Sequence, residues 1–504
     1  MNTIKHTVTR SLTPHSFLEG KMGLWVIFCA FFFISCNEWL DVSPKTQIKA
    51  DDNFSNEQGY EDALTGVYLL LAKESLYGKE LTFGMLDAMA QYYTALAQSN
   101  TYNYDAAFDY KNANVEARIS SVWSNMYTAI ANANELIKQI DAADVNSFTG
   151  RNYHLIRGEI YGLRAFMHFD LMRLWGESYA ANPQHKCIPY MKTVTADVTP
   201  LSTVSEVLDL CLQDLAVAET ELKVDPVIAG NTMENADETY ERDRTFKFNY
   251  YAVKLLQARI HLYKGDYAQA LAAAKEVTGQ QTFYWTPEAE ITTSNTATRN
   301  RVFSEELVFC LYDTQLRSRY SSYFTSSLTG LLMSESSYQA VYELYKAGYS
   351  GDYRYAYQST ELDGQHYSAK LQQPTSGNSN YLFRIPLMRI SEAYYIAAEC
   401  ELEENGDIDA CVGYLNTVRR NRNLTDNLQG SGLSVSDARD EIRKEYVKEF
   451  MCEGQLYYYY KRKNFSAIPI NTAVGDAVST SLVKPDYVFP LPDNEVEYGG
   501  RNYE

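Results

Sequence analysis

Along most of this chain, apolar residues recur at the spacing of one helix face. The pattern is clearest between Phe383 and Asn421. Ile390, Ala393, Tyr394, Ala397, Ala398 and Leu402 fall at i, i+3, i+4, i+7, i+8 and i+12, which predicts a helix with one apolar face. Small residues dominate that face, so a neighbouring helix can approach closely. Asn405-Gly406 interrupts the run, and Gly tolerates the left-handed stop. Asp407 is then placed to cap a second helix, in which Ile408, Cys411, Val412, Leu415 and Val418 resume the spacing. The stretch reads as two antiparallel helices. The same spacing predicts helices over Glu57–Ala72, Leu81–Ala97, Val115–Ile140, Arg157–Trp175, Val204–Leu222 and Ser436–Cys452, followed by a polar tail. Ser99–Asp105 interrupts the pattern and reads as a loop. Asp170 and Arg173 lie one helical turn apart and are placed to pair.

The hairpin occurs twice. In Tyr251–Thr278 the turn is Gly265-Asp266, and Tyr267, Ala270, Leu271, Ala274 and Val277 follow in the same register. Ala258, Gly265, Tyr267 and Ala270 resemble a tetratricopeptide (TPR) repeat. A recurring hairpin predicts stacked helix pairs that share one core. Two unrelated hairpins remain the alternative. From Gln280 to Asn380 the helical signal weakens, in stretches such as TTSNTATRNR and YSSYFTSSLTG. Long irregular regions inside a regular framework are functional or disordered, and the aromatic content here argues for order. The expected fold is mainly α: a TPR-like helix-hairpin scaffold with a loop-rich insertion over 280–380 carrying short strands, and a second TPR-like pair over 386–421.

The N-terminus changes the picture. Lys5, Arg10 and Lys21 precede an apolar run, Leu24–Ile34, that ends at Ser35-Cys36. A basic segment, a short hydrophobic core and a small residue at the cut describe a signal peptide over 1–35. Phe33-Ile34-Ser35-Cys36 resembles a bacterial lipobox, which makes Cys36 the expected lipidated first residue of the mature protein. The alternative is ordinary cleavage and a soluble product. Charge narrows the partners: 45 basic against 64 acidic residues give −19, which argues against nucleic acid. It also disfavours highly sulfated glycans, unless a local basic pocket overrides it. Of eight cysteines none forms C-x-x-C, and Cys211, Cys310, Cys400 and Cys411 lie in apolar runs, so buried thiols are expected, with a disulfide pair of unassigned connectivity as the alternative.

Little points to catalysis. Seven histidines show no zinc spacing, and His168 and His261 read as structural. No phosphate loop and no nucleophile elbow is present. No catalytic residue, metal site or cofactor is expected; calcium on a loop is left open. Binding needs less. With 42 tyrosines the chain is rich in rings that stack on the apolar faces of sugars, while hydroxyls take Asn, Asp or Arg partners. Tyr102, Asn103, Tyr104 and Asp105 fit that description, as do Trp285, Tyr320, Tyr323 and Tyr355 in the irregular region. Packing within a loop is the competing reading for each.

Several segments together resemble the SusD/RagB family of outer-membrane nutrient-binding lipoproteins of Bacteroidetes. They are the leader CNEWLDVSP, the helix RGEIYGLRAFMHFDLMRLWG, PLMRISEAYYIAAE, LNTVRRNRN, Glu449 with Glu453-Gly454, Phe489-Pro-Leu-Pro-x-x-Glu-Val496, and Arg501-Asn-Tyr503. Leu456 and Tyr459 depart from the family's late helix. The resemblance implies an N-terminal helical region over 36–279 and a C-terminal region over 280–504. It implies a surface-exposed, lipid-anchored, non-enzymatic protein that binds oligosaccharide and caps a SusC-like TonB-dependent outer-membrane barrel. A peptide ligand, or a lipid-anchored TPR scaffold in envelope assembly, are the rival readings.

Overall fold

Helix caps explain where the elements begin. The computed structural model describes residues 53–230, 240–326, 329–374, 381–469 and 482–501. The expected signal peptide, Cys36 and the leader to Pro44 lie outside them. Helix α1 (Glu57–Leu71) starts at Asn56, whose side chain accepts from the Gly59 N–H. The helix expected over Leu81–Ala97 does not form. Only Met85–Met89 (α2) is helical. Gln91 takes a left-handed φ of 66°, and the chain beyond it bonds the Ala95 N–H to the Leu332 carbonyl. Long-range pairing overrides local propensity there. The expected loop Ser99–Asp105 instead contains one helical turn, α3 (Tyr102–Ala106).

Next come α4 (Ala113–Ala142), α5 (Asn152–Trp175), α6 (Val204–Glu221), α7 (Tyr250–Lys264) and α8 (Tyr267–Gly279). A small hairpin, β1 (Lys186–Ile188) with β2 (Ser202–Thr203), precedes α6. Thr203 and Glu206 form a reciprocal capping box that starts α6. Helix α5 is buried almost all round, so its polar groups need partners. Glu159 takes Arg244 at 2.5 Å, Arg164 takes Asp214 at 2.7 Å, and Asp170 pairs with Arg173 as its spacing predicts. His168 is structural here: its ring lies between the Arg164 carbonyl and the Met191 N–H. Cys187, Cys211, Cys310, Cys400, Cys411 and Cys452 are all buried and free.

The irregular region is ordered over most of its length. It holds α9 (Glu288–Ile291), β3 (Leu307–Tyr312), α10 (Leu316–Phe324), β4 (Met333–Ser334), α11 (Glu335–Val341), α12 (Tyr353–Tyr357), β5 (Ser359–Leu362), β6 (Gln365–Ser368) and β7 (Arg384–Arg389). Strand β3 pairs antiparallel with β7, and β4-β6-β5 form a small antiparallel sheet. Residues 384–389, read from sequence as the start of a helix, are therefore strand. Pro386 explains the difference, because it lacks an N–H and drives the preceding residue out of helical geometry. Helices α13 (Ile390–Asn405), α14 (Ile408–Arg420), α15 (Val435–Glu449), α16 (Gln455–Arg462) and α17 (Asp493–Glu497) complete the chain. Helix α16 falls in what reads as a polar tail.

The architecture is mainly α. Helices α4, α5, α6, α7 and α8 each pack on the next, and α1 packs on α4. The two recurrent hairpins lie side by side, because α8 packs directly on α13, and α13 on α14 and α15. Gly265 and Gly406 close the first helix of each hairpin at φ of 80° and 65°. The insertion between α8 and β7 leaves this stack and returns to it. What fastens it is a buried ion network. Arg354 meets Asp352, Glu445 and Glu449; Arg422 bridges Glu306 and Glu449; Arg389 and Lys370 share Glu453; Lys448 reaches Glu343 and Glu445. Charges removed from water this completely persist only when paired.

This pairing sets an acid limit. Burial alone would raise Glu399 and Glu445, but Arg462 with Lys463, and Arg354 with Lys448, hold each carboxyl down at about 2. The ordinary glutamate value is 4.5. Folded values below unfolded ones mean stability that is present above about pH 4.5 and lost as pH falls toward about 2. A Glu399→Gln variant is expected to be less stable at pH 7 and to lose less on acidification across that window. Parallel acid limbs in urea titrations of the two proteins would contradict this.

Candidate functional site

Three distant stretches meet beside α3. Lys79, in the turns after α1, donates to the Tyr323 hydroxyl at 2.9 Å and lies 4.8 Å from that ring's centre. Its neighbour Glu80 pairs with it at 3.1 Å and accepts the Tyr102 hydroxyl at 3.0 Å. Arg118 of α4 covers the Tyr102 ring at 4.5 Å and pairs with Asp105 at 2.7 Å. Asn100 donates to the carbonyls of Thr329 and Gly330. The junction therefore joins residues 79–80, 100–105, Tyr323 and residues 329–330 by side-chain bonds rather than by regular secondary structure.

Its members divide into support and surface. Tyr102 is 5% exposed and Asp105 fully buried. Burial pushes the Asp105 carboxyl up to about 7, although Arg118 opposes it. These two side chains hold the turn. Tyr104 is 43% exposed, Asn103 is half-buried with its amide on the Ala97 and Asn100 carbonyls, and Tyr323 is half-buried. The junction thus offers the half-buried Tyr323 ring and hydroxyl with the Lys79 ammonium beside them, and Tyr104 adds an exposed ring on the same short helix as Tyr102. That set can pack on the C–H face of a sugar and exchange hydrogen bonds with its hydroxyls.

The other expected residues lie elsewhere. Tyr320 is 4% exposed, stacked on Phe324 at 5.0 Å with its hydroxyl on the Ser368 carbonyl. Trp285 is half-buried against Tyr394 at 5.3 Å, with the Arg422 guanidinium 5.4 Å from its ring. Tyr355 stacks on Tyr338 at 5.2 Å, and Tyr338 stacks on His366 at 4.0 Å. The eight expected residues therefore occupy the junction and two separate packing clusters, with Tyr320 in the interior.

Two features escape sequence reasoning. Tyr312, 50% exposed at the end of β3, sits between Phe246 at 5.6 Å and Phe383 at 5.7 Å. Arg384 lies over Phe246 and Arg317 over Phe383. Nothing in the spacing marks this patch, because its rings come from three segments. A cleft of about 530 Å³ opens nearby, between the 296–301 loop, α12, β5 and residues 372–374. Among the described residues no cluster of His, Cys, Asp or Glu is arranged to hold a metal, and no helix is long and apolar enough to cross a membrane.

Comparison with known proteins gives the family. Residues 38–227 match a family model described as starch-binding associating with outer membrane, and residues 281–497 match the model of the SusD family. SusD-like protein P2 of Formosa agariphila is 22% identical over 94% of this chain and 97% of its own length. SusD-like protein P25 of the same organism is 21% identical over 50% of this chain, which spans 45% of that relative. Among solved structures, a SusD superfamily protein from Bacteroides thetaiotaomicron superposes with a TM-score of 0.67 at 22% identity, covering 88% of this chain and 98% of the other. A SusD-like carbohydrate binding protein from Bacteroides vulgatus gives 0.67 at 20%, covering 88% and 97%. The two family models lie in order along the chain, and its helical stack has the shape of the solved members: this chain belongs to the SusD/RagB family.

Proposed function

We infer that this protein captures oligosaccharides at the cell surface, unaltered, and delivers them to a SusC-like TonB-dependent outer-membrane barrel. The observation that carries this reading is the junction beside α3, where Lys79 meets the half-buried Tyr323 ring over the buried supports Glu80 and Tyr102, with Tyr104 exposed on the same short helix. The family description, starch-binding associating with outer membrane, supports both ligand class and location. On this reading residues 1–35 are removed, Cys36 carries the lipid, and the helical region 36–279 and the region 280–504 act as one frame. The lipid chains contribute about 0.8 kcal/mol per buried CH₂. Tethering beside a barrel raises local ligand concentration without tight binding.

Calorimetry of the mature chain against a panel of neutral and acidic oligosaccharides tests the reading. At least one is expected to bind. Tyr104→Ala and Tyr323→Ala are each expected to weaken that binding about tenfold, since an aromatic contact is worth roughly 0.5–1.5 kcal/mol beyond its buried area. A panel with no binder, or both variants binding like the parent, sinks the site. Purification of the tagged protein from detergent-solubilised outer membranes is expected to bring the barrel with it.

A further inference from the structure

We propose that the cleft between Arg299 and Gln372 is a subsite for a uronic acid residue of the captured oligosaccharide, whose carboxylate is read by Arg301 and Arg299. The inference deepens the glycan-capture reading and rests on it.

The argument starts from what arginines do elsewhere in this chain. Arg164, Arg244, Arg259, Arg354, Arg389 and Arg422 are buried, and each faces a carboxylate within 2.5 to 3.0 Å. Arg301 is also buried, though slightly less so, at 7% exposure. Its guanidinium makes one bond, from Nη1 to the Thr296 carbonyl at 3.0 Å, and meets no carboxylate among the described residues. Arg299, two residues before it, bonds the Thr293 carbonyl, meets no carboxylate among the described residues, and lies 4.9 Å from the centre of the Tyr357 ring. In a chain with 64 acidic and 45 basic residues, two neighbouring guanidiniums that meet no acid among the described residues stand out.

Both side chains line the same cleft of about 530 Å³, room for one or two sugar residues. A charge buried without a counterion is costly, and an incoming carboxylate removes that cost. Burial and Arg299 push the Arg301 guanidinium below its ordinary value, opposed only by the phenols of Tyr320 and Tyr381. Guanidinium recognises carboxylate with paired N–H donors. The remaining lining is neutral and polar. Thr360 and Gln372 make no side-chain hydrogen bond among the described residues and face the cleft, so hydroxyl partners are free for the ring. Tyr357 adds an aromatic edge. A local basic pocket thus overrides the acidic balance of the chain as a whole.

The test is calorimetry of the mature chain at low salt with oligogalacturonate, oligomannuronate and aldouronic xylooligosaccharides, each beside its carboxyl-reduced form. Chondroitin sulfate and poly-glutamate are the further probes. At least one acidic saccharide is expected to bind about tenfold or more tightly than its reduced form. That ratio is expected to collapse toward one in Arg299→Gln and in Arg301→Gln, while affinity for neutral saccharide stays. If Arg301→Gln does not fold by circular dichroism, the half-buried Arg299→Gln carries the test alone. Equal binding of acidic and reduced forms, or a ratio that survives in the variants, overturns the subsite and leaves glycan capture standing. Preference for sulfate over carboxylate, or for poly-glutamate over every saccharide, overturns the assignment of the ligand. Silence across all saccharides overturns both readings together.

Discussion

Replacing Glu449 by alanine is expected to lower the free energy of unfolding by about 3–5 kcal/mol, the range for breaking a buried charge pair. Glu449 is 1% exposed. It accepts from Arg422 at 2.6 and 3.1 Å, from Arg354 at 3.0 Å and from the Ser391 hydroxyl at 2.9 Å. Burial works against its charge, and Arg422 with Arg354 and Arg389 overcomes this and holds its carboxyl well below the usual range. Removing it leaves these guanidiniums sharing fewer anions in a space that water does not reach. The insertion depends on this residue, because Arg354 comes from the irregular region and Glu449 from the scaffold. Urea denaturation measures the loss, and limited proteolysis is expected to cut first between 280 and 380. A loss under about 1 kcal/mol would show that the network does not fasten the insertion.

Gly454→Ala is expected to cost about 3 kcal/mol or more, and Gly406→Ala only about 1–2 kcal/mol. The two glycines have nearly the same backbone, at φ of 68° and 65°. Their surroundings differ. A Cβ on Gly406 meets nothing within 4 Å, whereas one on Gly454 falls well inside contact with the Leu81 carbonyl oxygen. The Gly454 N–H also donates to buried Asp87 at 3.2 Å, which accepts the Cys452 N–H at 2.6 Å as well. Backbone strain is common to both substitutions, so the difference isolates the close approach. Equal melting shifts in the two variants would remove that explanation. The Glu-Gly pair that the family resemblance picked out thus has a physical reason: Glu453 holds Arg389, and Gly454 lets the 81–87 segment come near.

Where regular periodicity met no competition, the elements were legible. Val204–Leu222 differs from α6 by one residue, and the pairing of Asp170 with Arg173 follows from helical spacing. Leu81–Ala97 was misread because its apolar residues are buried by long-range packing, not by a helix face. The 384–389 strand was misread because its partner, β3, lies far upstream in sequence. Helix α16 was missed because its tyrosines and basic residues read as polar, although Tyr457 and Tyr460 are fully buried.

The amino-acid sequence by itself determined the helical frame. A 3.6-residue repeat needs only neighbouring residues to declare itself, and the stop of the first helix in each hairpin is written in a single glycine, Gly265 or Gly406. It also carried the family, through short motifs in a fixed order. Which tyrosines face solvent was decided by the tertiary structure alone. Tyr102 and Tyr104 are two residues apart with the same chemistry, yet Glu80 and Arg118 draw one inward and leave the other exposed. The arginine cleft is likewise invisible in one dimension, because Arg164, Arg244, Arg259, Arg354, Arg389 and Arg422 each have a carboxylate that folding places beside them, whereas Arg301 meets none among the described residues.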